Sequence, residues 1–233
     1  MWYAQPSAPY DKDSTEGTAN ILQMRDILRT DFNWTDEAIT GCVSNSIYEG
    51  GLNPWRWGGD QYPPPPRLRG CGLFGFTPYT RYLELPGSEQ MNLSVTEITP
   101  NASPNVGTQQ VTIMANGTWG WHSSCWREYD PIEDTGWNPA LYPDEYAQRG
   151  RILNTYGDGT TLTETQYGAI TDNYDAVFAF LACFEGPATP NYEARKSVAD
   201  RVYEIITGHP PTPPTPPTRR KGMPVYMMIK RLM

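Results

Sequence analysis

The chain has 233 residues, 12% of them aromatic, with 21 Gly, 23 Pro and a net charge of −8. That length fits one generous domain with appendages, and eight Trp with fifteen Tyr imply a core with aromatic grooves, not a disordered chain. The acidic balance argues against nucleic acid as a partner, because a general binder needs a basic stripe to neutralise phosphates.

Residues 1–14 read as an irregular N-terminal arm, broken by Pro6 and Pro9. The arm lacks the apolar run of a signal peptide, and no stretch of about eighteen apolar residues exists to form a transmembrane segment. The expectation is a protein made in the cytoplasm of its cell without a signal peptide. A first helix is predicted from about Thr15 to Arg29, with Ala19, Leu22 and Ile27 on the buried face and Ile21, Met24 and Leu28 beside them. The second helix is better marked. Thr35 is its N-cap, Asp36 and Glu37 sit where the dipole favours negative charge, and Ile39, Cys42, Val43, Ser46 and Ile47 form an apolar stripe. Gly50-Gly51 supplies a left-handed stop.

Residues 52–70 contain four consecutive prolines and are therefore loop or short irregular strand. The stretches 91–99 and 109–114, partly alternating and β-branched, predict a hairpin-like unit within a β-rich or irregular insertion over 87–140. Trp119, Trp121 and Trp126 lie in an aromatic-rich loop, either as an extra sugar platform or as a satellite core. Helices resume at Asp144–Asn154, near Thr163–Gly168, along the apolar run 173–187 that ends in Gly-Pro, and over the amphipathic run 191–208 closed by Gly208. Residues 209–218 repeat Pro and Thr, which predicts an extended polyproline II spacer. The basic, Met-rich end, 219–233, completes a 25-residue tail with five cations and no acid, leaving −13 on the rest.

Cys42, Cys71, Cys125 and Cys183 form no C-x-x-C pair, and only His122 and His209 are available to join them. No metal site or cofactor is expected. The cysteines are either free buried thiols or one or two disulfides formed after release.

Glu49 is the candidate for chemistry. It lies seven residues after Cys42, about two helical turns, and so on the flank of the buried face in the last turn. Partial burial and the negative end of the helix dipole both disfavour a charged carboxylate there, which suits a general acid acting on a poor leaving group such as a glycosidic oxygen. Trp55 and Trp57 follow closely, offering flat faces for sugar rings, and "GCGLFGFT" (70–77) combines three glycines with three hydrophobes.

The order "AITGCVSNSIYEGGLNP" (38–54), "GCGLFGFTPYTR" (70–81) and "FAFLACFEGPATPNYEARKSVADRVYEI" (178–205) resembles the lysozyme domain of bacteriophage tails, akin to goose-type lysozymes and soluble lytic transglycosylases. The resemblance runs over about 15–208. It implies a mainly α (α+β) class, a lysozyme-like helical domain with the insertion and the extended tail appended. It also implies cleavage of the peptidoglycan glycan strand, Glu49 as general acid, and a virion tail as the place of residence. Bacterial peptidoglycan is then the partner, with other virion or tail proteins reached through the C-terminal tail. A lytic transglycosylase and an inactive tail structural or wall-binding protein stand as alternatives.

Two positions depart from the family pattern: Gly50 stands where Ser is common after the acid, and Gly75 where Gln often follows Gly-Leu-Phe. Asp60 is the candidate second carboxylate, since hydrolysis with a protein partner needs two acids about 5–9.5 Å apart. Trp55, Trp57, Phe74, Thr77 and Tyr79 are candidates for lining the substrate groove. Glu185 is expected to cap or to pair with a nearby arginine such as Arg195.

Overall fold

In the computed structural model, residues 2–5, 8–56, 70–76, 106–118, 138–185 and 189–210 are described. Among these, seven α-helices occur: α1 (Thr15–Asp31), α2 (Asp36–Glu49), α3 (Val106–Ala115), α4 (Pro143–Tyr156), α5 (Glu164–Gly168), α6 (Asn173–Phe180) and α7 (Tyr192–Thr207), with a π-turn over Leu181–Glu185 directly after α6. No strand occurs among the described residues; an isolated bridge joins Cys71 and Phe76. The class is mainly α, with a lysozyme-like helical domain as expected.

The centre of the fold is α2. Ala38 through Ser46 are all buried, because α1, α5, α6 and α7 pack around it. Thr35 caps it as expected, accepting from Ala38 N at 3.1 Å. Contact with α6 is close at Gly41, where an added Cβ would lie 2.5 Å from Ala176 O. An aromatic cluster fills the space behind: Phe180 stacks 4.8 Å from Phe184, and Phe74 reaches both at 5.9 Å. Cys42 and Cys71 are buried free thiols within this core, where Cys183 is buried too; Cys125 lies outside the described residues.

Two sequence expectations shift. The buried stripe of α1 is Gly17, Asn20, Ile21, Met24, Ile27 and Leu28, turned away from Ala19 and Leu22. Residues 109–114 are not a strand but the body of α3, whose Val106, Gly107, Gln110, Val111, Ile113 and Met114 are buried. Packing overrides the β-propensity of Val111, Thr112 and Ile113: α3 lies against α1, and Trp2 closes over it. An added Cβ at Gly107 would lie 2.6 Å from Trp2 Cε3, and Trp2 Nε1 donates to Thr108 Oγ1 at 2.9 Å. The left-handed stop after α2 is supplied by the second glycine of the expected pair. Gly50 has φ −105°, whereas Gly51 and Leu52 have φ +56° and +54°. The other predicted strand, 91–99, the Trp119, Trp121 and Trp126 cluster, and the tail from 211 onward lie outside the described residues.

Candidate active site

Glu49 closes α2, and two turns and a helix converge on it. The first turn, residues 51–56, is stitched to the N-terminal arm. Asn53 Nδ2 donates to Gln5 O at 2.6 Å and to Ala8 O at 2.8 Å, while its Oδ1 accepts from Trp55 N at 3.0 Å. Asn20, buried in α1, donates to Leu52 O and to Tyr3 O, each at 2.8 Å. These bonds hold Leu52, a bulky residue in the left-handed region, where such backbone persists only if its surroundings fix it.

The second turn is "CGLFGF" (71–76), closed by Phe76 N donating to Cys71 O at 2.9 Å, with Gly72 and Gly75 at φ +76° and +58°. Its backbone rests on the end of α2. An added Cβ at Gly50 would come within 2.5 Å of the Leu73 carbonyl carbon, so no side chain fits at that position. An added Cβ at Gly75 would lie 3.2 Å from Glu49 Oε2. Both departures from the family pattern thus have a steric basis: Gly50 admits the turn, and Gly75 leaves the carboxylate uncovered by a side chain from it.

Gln110, fully buried in α3, ties the two turns together. Its Oε1 accepts from Leu73 N and its Nε2 donates to Pro54 O, both at 2.8 Å. Nothing in the 109–114 sequence distinguishes this glutamine from its neighbour Gln109, and it was missed for that reason.

From the third side comes Arg195 of α7. It occupies the buried stripe of that helix with Ala199, Val202 and Ile206. Its Nη2 donates to Glu49 Oε1, an ion pair with side-chain exposures of 5% for the arginine and 27% for the glutamate. Its Nη1 donates to Asn45 Oδ1 at 3.1 Å, and Asn45 Nδ2 donates to Gly41 O at 2.8 Å and to Val177 O at 3.1 Å. The guanidinium also lies 5.6 Å from the ring centre of Tyr48, whose hydroxyl donates to Ala194 O at 2.7 Å. Tyr48 is 42% exposed, an anchored aromatic face next to the acid. The arginine that sequence reasoning paired with Glu185 therefore pairs with Glu49. The available signal was a cation at a core position of α7, because a buried charge demands a partner.

Glu185 ends the π-turn near the same arginine. Its Oε1 is buried and has no hydrogen bond among the described residues; Arg195 Nε is in the same condition. Burial first, then the Glu49 charge, push its carboxyl well above the usual carboxylate range, and Arg195 pulls the other way.

Of the groove candidates, Phe74 is 1% exposed and lies in the aromatic cluster, 5.8 Å from Phe76, facing the core. Trp55 is also buried, with an indole N–H that has no partner among the described residues. Asp60, Trp57, Thr77 and Tyr79 lie outside the described residues. Among the described residues no group of three or more His, Cys, Asp and Glu is placed to hold a metal ion, and no helix is long and apolar enough to cross a membrane.

A family model described as phage tail lysozyme matches residues 19–206. No curated protein matches the chain.

Proposed function

The chain belongs to the phage tail lysozyme family, with the peptidoglycan-degrading, lysozyme-like function and tail association that this family suggests, and we propose that it is a muramidase in which Glu49 protonates the glycosidic oxygen of the glycan strand. The reaction breaks the bond between the anomeric carbon and that oxygen. The proton of Glu49 goes to the leaving sugar, and water supplies hydroxide to the anomeric carbon and a proton back to the carboxylate. Asp60, or the substrate's own N-acetyl group, supports the positive charge that develops on the ring. In the virion such cleavage opens the wall locally for genome entry. The Pro/Thr repeat and the basic end dock the domain to other tail proteins.

The observation that carries this reading is the setting of Glu49. It is a partly exposed carboxylate at a helix end, flanked by Gly75, which puts no side chain over it, and held by Arg195. A general acid contributes typically about 10²–10⁴-fold, so Glu49→Gln should reduce release of soluble fragments from purified peptidoglycan by at least about 10²-fold. Mass spectrometry of the fragments should find reducing muramic ends; anhydro ends would assign a transglycosylase, and equal lysis by the two proteins would dismiss Glu49.

A further inference from the structure

We propose that Glu185 is a positioning residue that shares one proton with Glu49 through Arg195, so that Glu49 becomes an acid when the guanidinium turns from Glu49 to Glu185. This rests on Glu49 being the proton donor of the preceding section.

Glu49 meets a difficulty that the geometry itself exposes. Paired with Arg195 it is a carboxylate, and a carboxylate has no proton to give. The charge of the same arginine also acts on a second acid, Glu185. Glu185 keeps Oε1 buried without a hydrogen bond, and Arg195 keeps Nε buried without one, among the described residues. A buried acceptor and a buried donor that both lack a partner each destabilise the fold. Joining them removes both costs, so an alternative pairing is close in energy.

Two arrangements therefore carry the same charge. In one, Arg195 pairs with a Glu49 carboxylate and Glu185 holds the proton. In the other, Arg195 pairs with a Glu185 carboxylate and Glu49 holds it. Passing between them, Glu185 releases a proton to water, the partly exposed Glu49 takes one up, and the guanidinium crosses. No net proton is gained or lost. The groups facing Glu185 are Glu49 and Cys42 from α2 and Arg195 from α7; burial and the Glu185 charge both raise the Cys42 thiol, which stays neutral and takes no part. Neutral Glu185 also fits the raised carboxyl described above, since two acids beside one cation do not both ionise readily. Asn45 fixes Nη1 of Arg195 in place, which leaves the other edge of the guanidinium to move.

The experiment compares wild type, Glu49→Gln, Glu185→Gln and Glu185→Asp on purified peptidoglycan, with pH profiles of kcat and KM. Glu185→Gln cannot become a carboxylate, so the expected result is a kcat loss of about 10²-fold with KM little changed and an altered pH profile, and partial recovery in Glu185→Asp. Wild-type rates and profile in Glu185→Gln, with Glu49→Gln inactive, would overturn the shared proton while leaving the glycosidase reading intact. Full activity in Glu49→Gln would remove both. Should Glu185→Gln fail to fold, carboxyl NMR of the wild type and Glu49→Gln decides: removing Glu49 should lower the midpoint at which Glu185 titrates, and an unmoved midpoint overturns the proposal.

Discussion

The two ends of α2 carry the same pair of chemical groups in different surroundings. At its start, Arg29 of α1 pairs with Asp36, with side-chain exposures of 45% and 32%. A cavity of about 520 Å³, lined by both residues with Arg25, Tyr203, Ile206 and His209, adjoins them. At its end, Arg195 pairs with Glu49 at exposures of 5% and 27%, beneath two glycine turns. Water screens the first pair and has little access to the second arginine, so an exchange of partners there changes the chemistry of an acid. At the start of the helix the same exchange would change almost nothing. The difference lies in burial, not in residue type.

That contrast can be broken in three ways. The largest expected effect is Arg195→Ala, which strands Glu49 and Asn45 and should cost about 3 kcal/mol, read as a lowered urea midpoint; a loss under about 1 kcal/mol would mean that the pair behaves as an exposed one. Next is Gly50→Ala. Its backbone, at φ −105°, suits alanine, so the cost is steric alone, about 2 kcal/mol as the 71–76 turn is pushed off α2. The thermal midpoint should fall, and activity should fall further than stability explains, because Gly75 moves away from Glu49. The smallest is Arg29→Ala, expected to cost below about 1 kcal/mol, with the difference from wild type disappearing in about 1 M salt. A salt-independent loss there would erase the distinction between the two ends.

Local rules made much of this legible. The Thr35 cap, the α2 stripe and the Gly208 stop, at φ +75°, each follow from residues within one or two turns. So did the Thr163 boundary, which the structure completes as a capping box with Gln166. Glu49 stood out because acid, glycines and tryptophan follow one another in sequence. What failed to show was non-local. The α3 segment reads as strand on propensity, and it is a helix because Trp2, more than a hundred residues earlier, covers its Gly107. Phe74 beside a glycine motif suggests a sugar platform, yet Phe180 and Phe184 claim its ring. The partner of Arg195 depended on which of two acids its helix brought nearer, a choice set by how α7 crosses α2.

The N-terminal arm has a practical consequence. Trp2 is 1% exposed, and Tyr3, Gln5 and Ala8 supply backbone carbonyls that Asn20 and Asn53 bind. A fragment trimmed to begin at the first helix would take away the lid of α3, leave the Asn53 amide without its two acceptors and leave Asn20 with Leu52 O alone, directly behind the turn that follows Glu49. For anyone engineering this domain, residues 2–5 and 8–10 are a structural strut that a shortened variant has to keep.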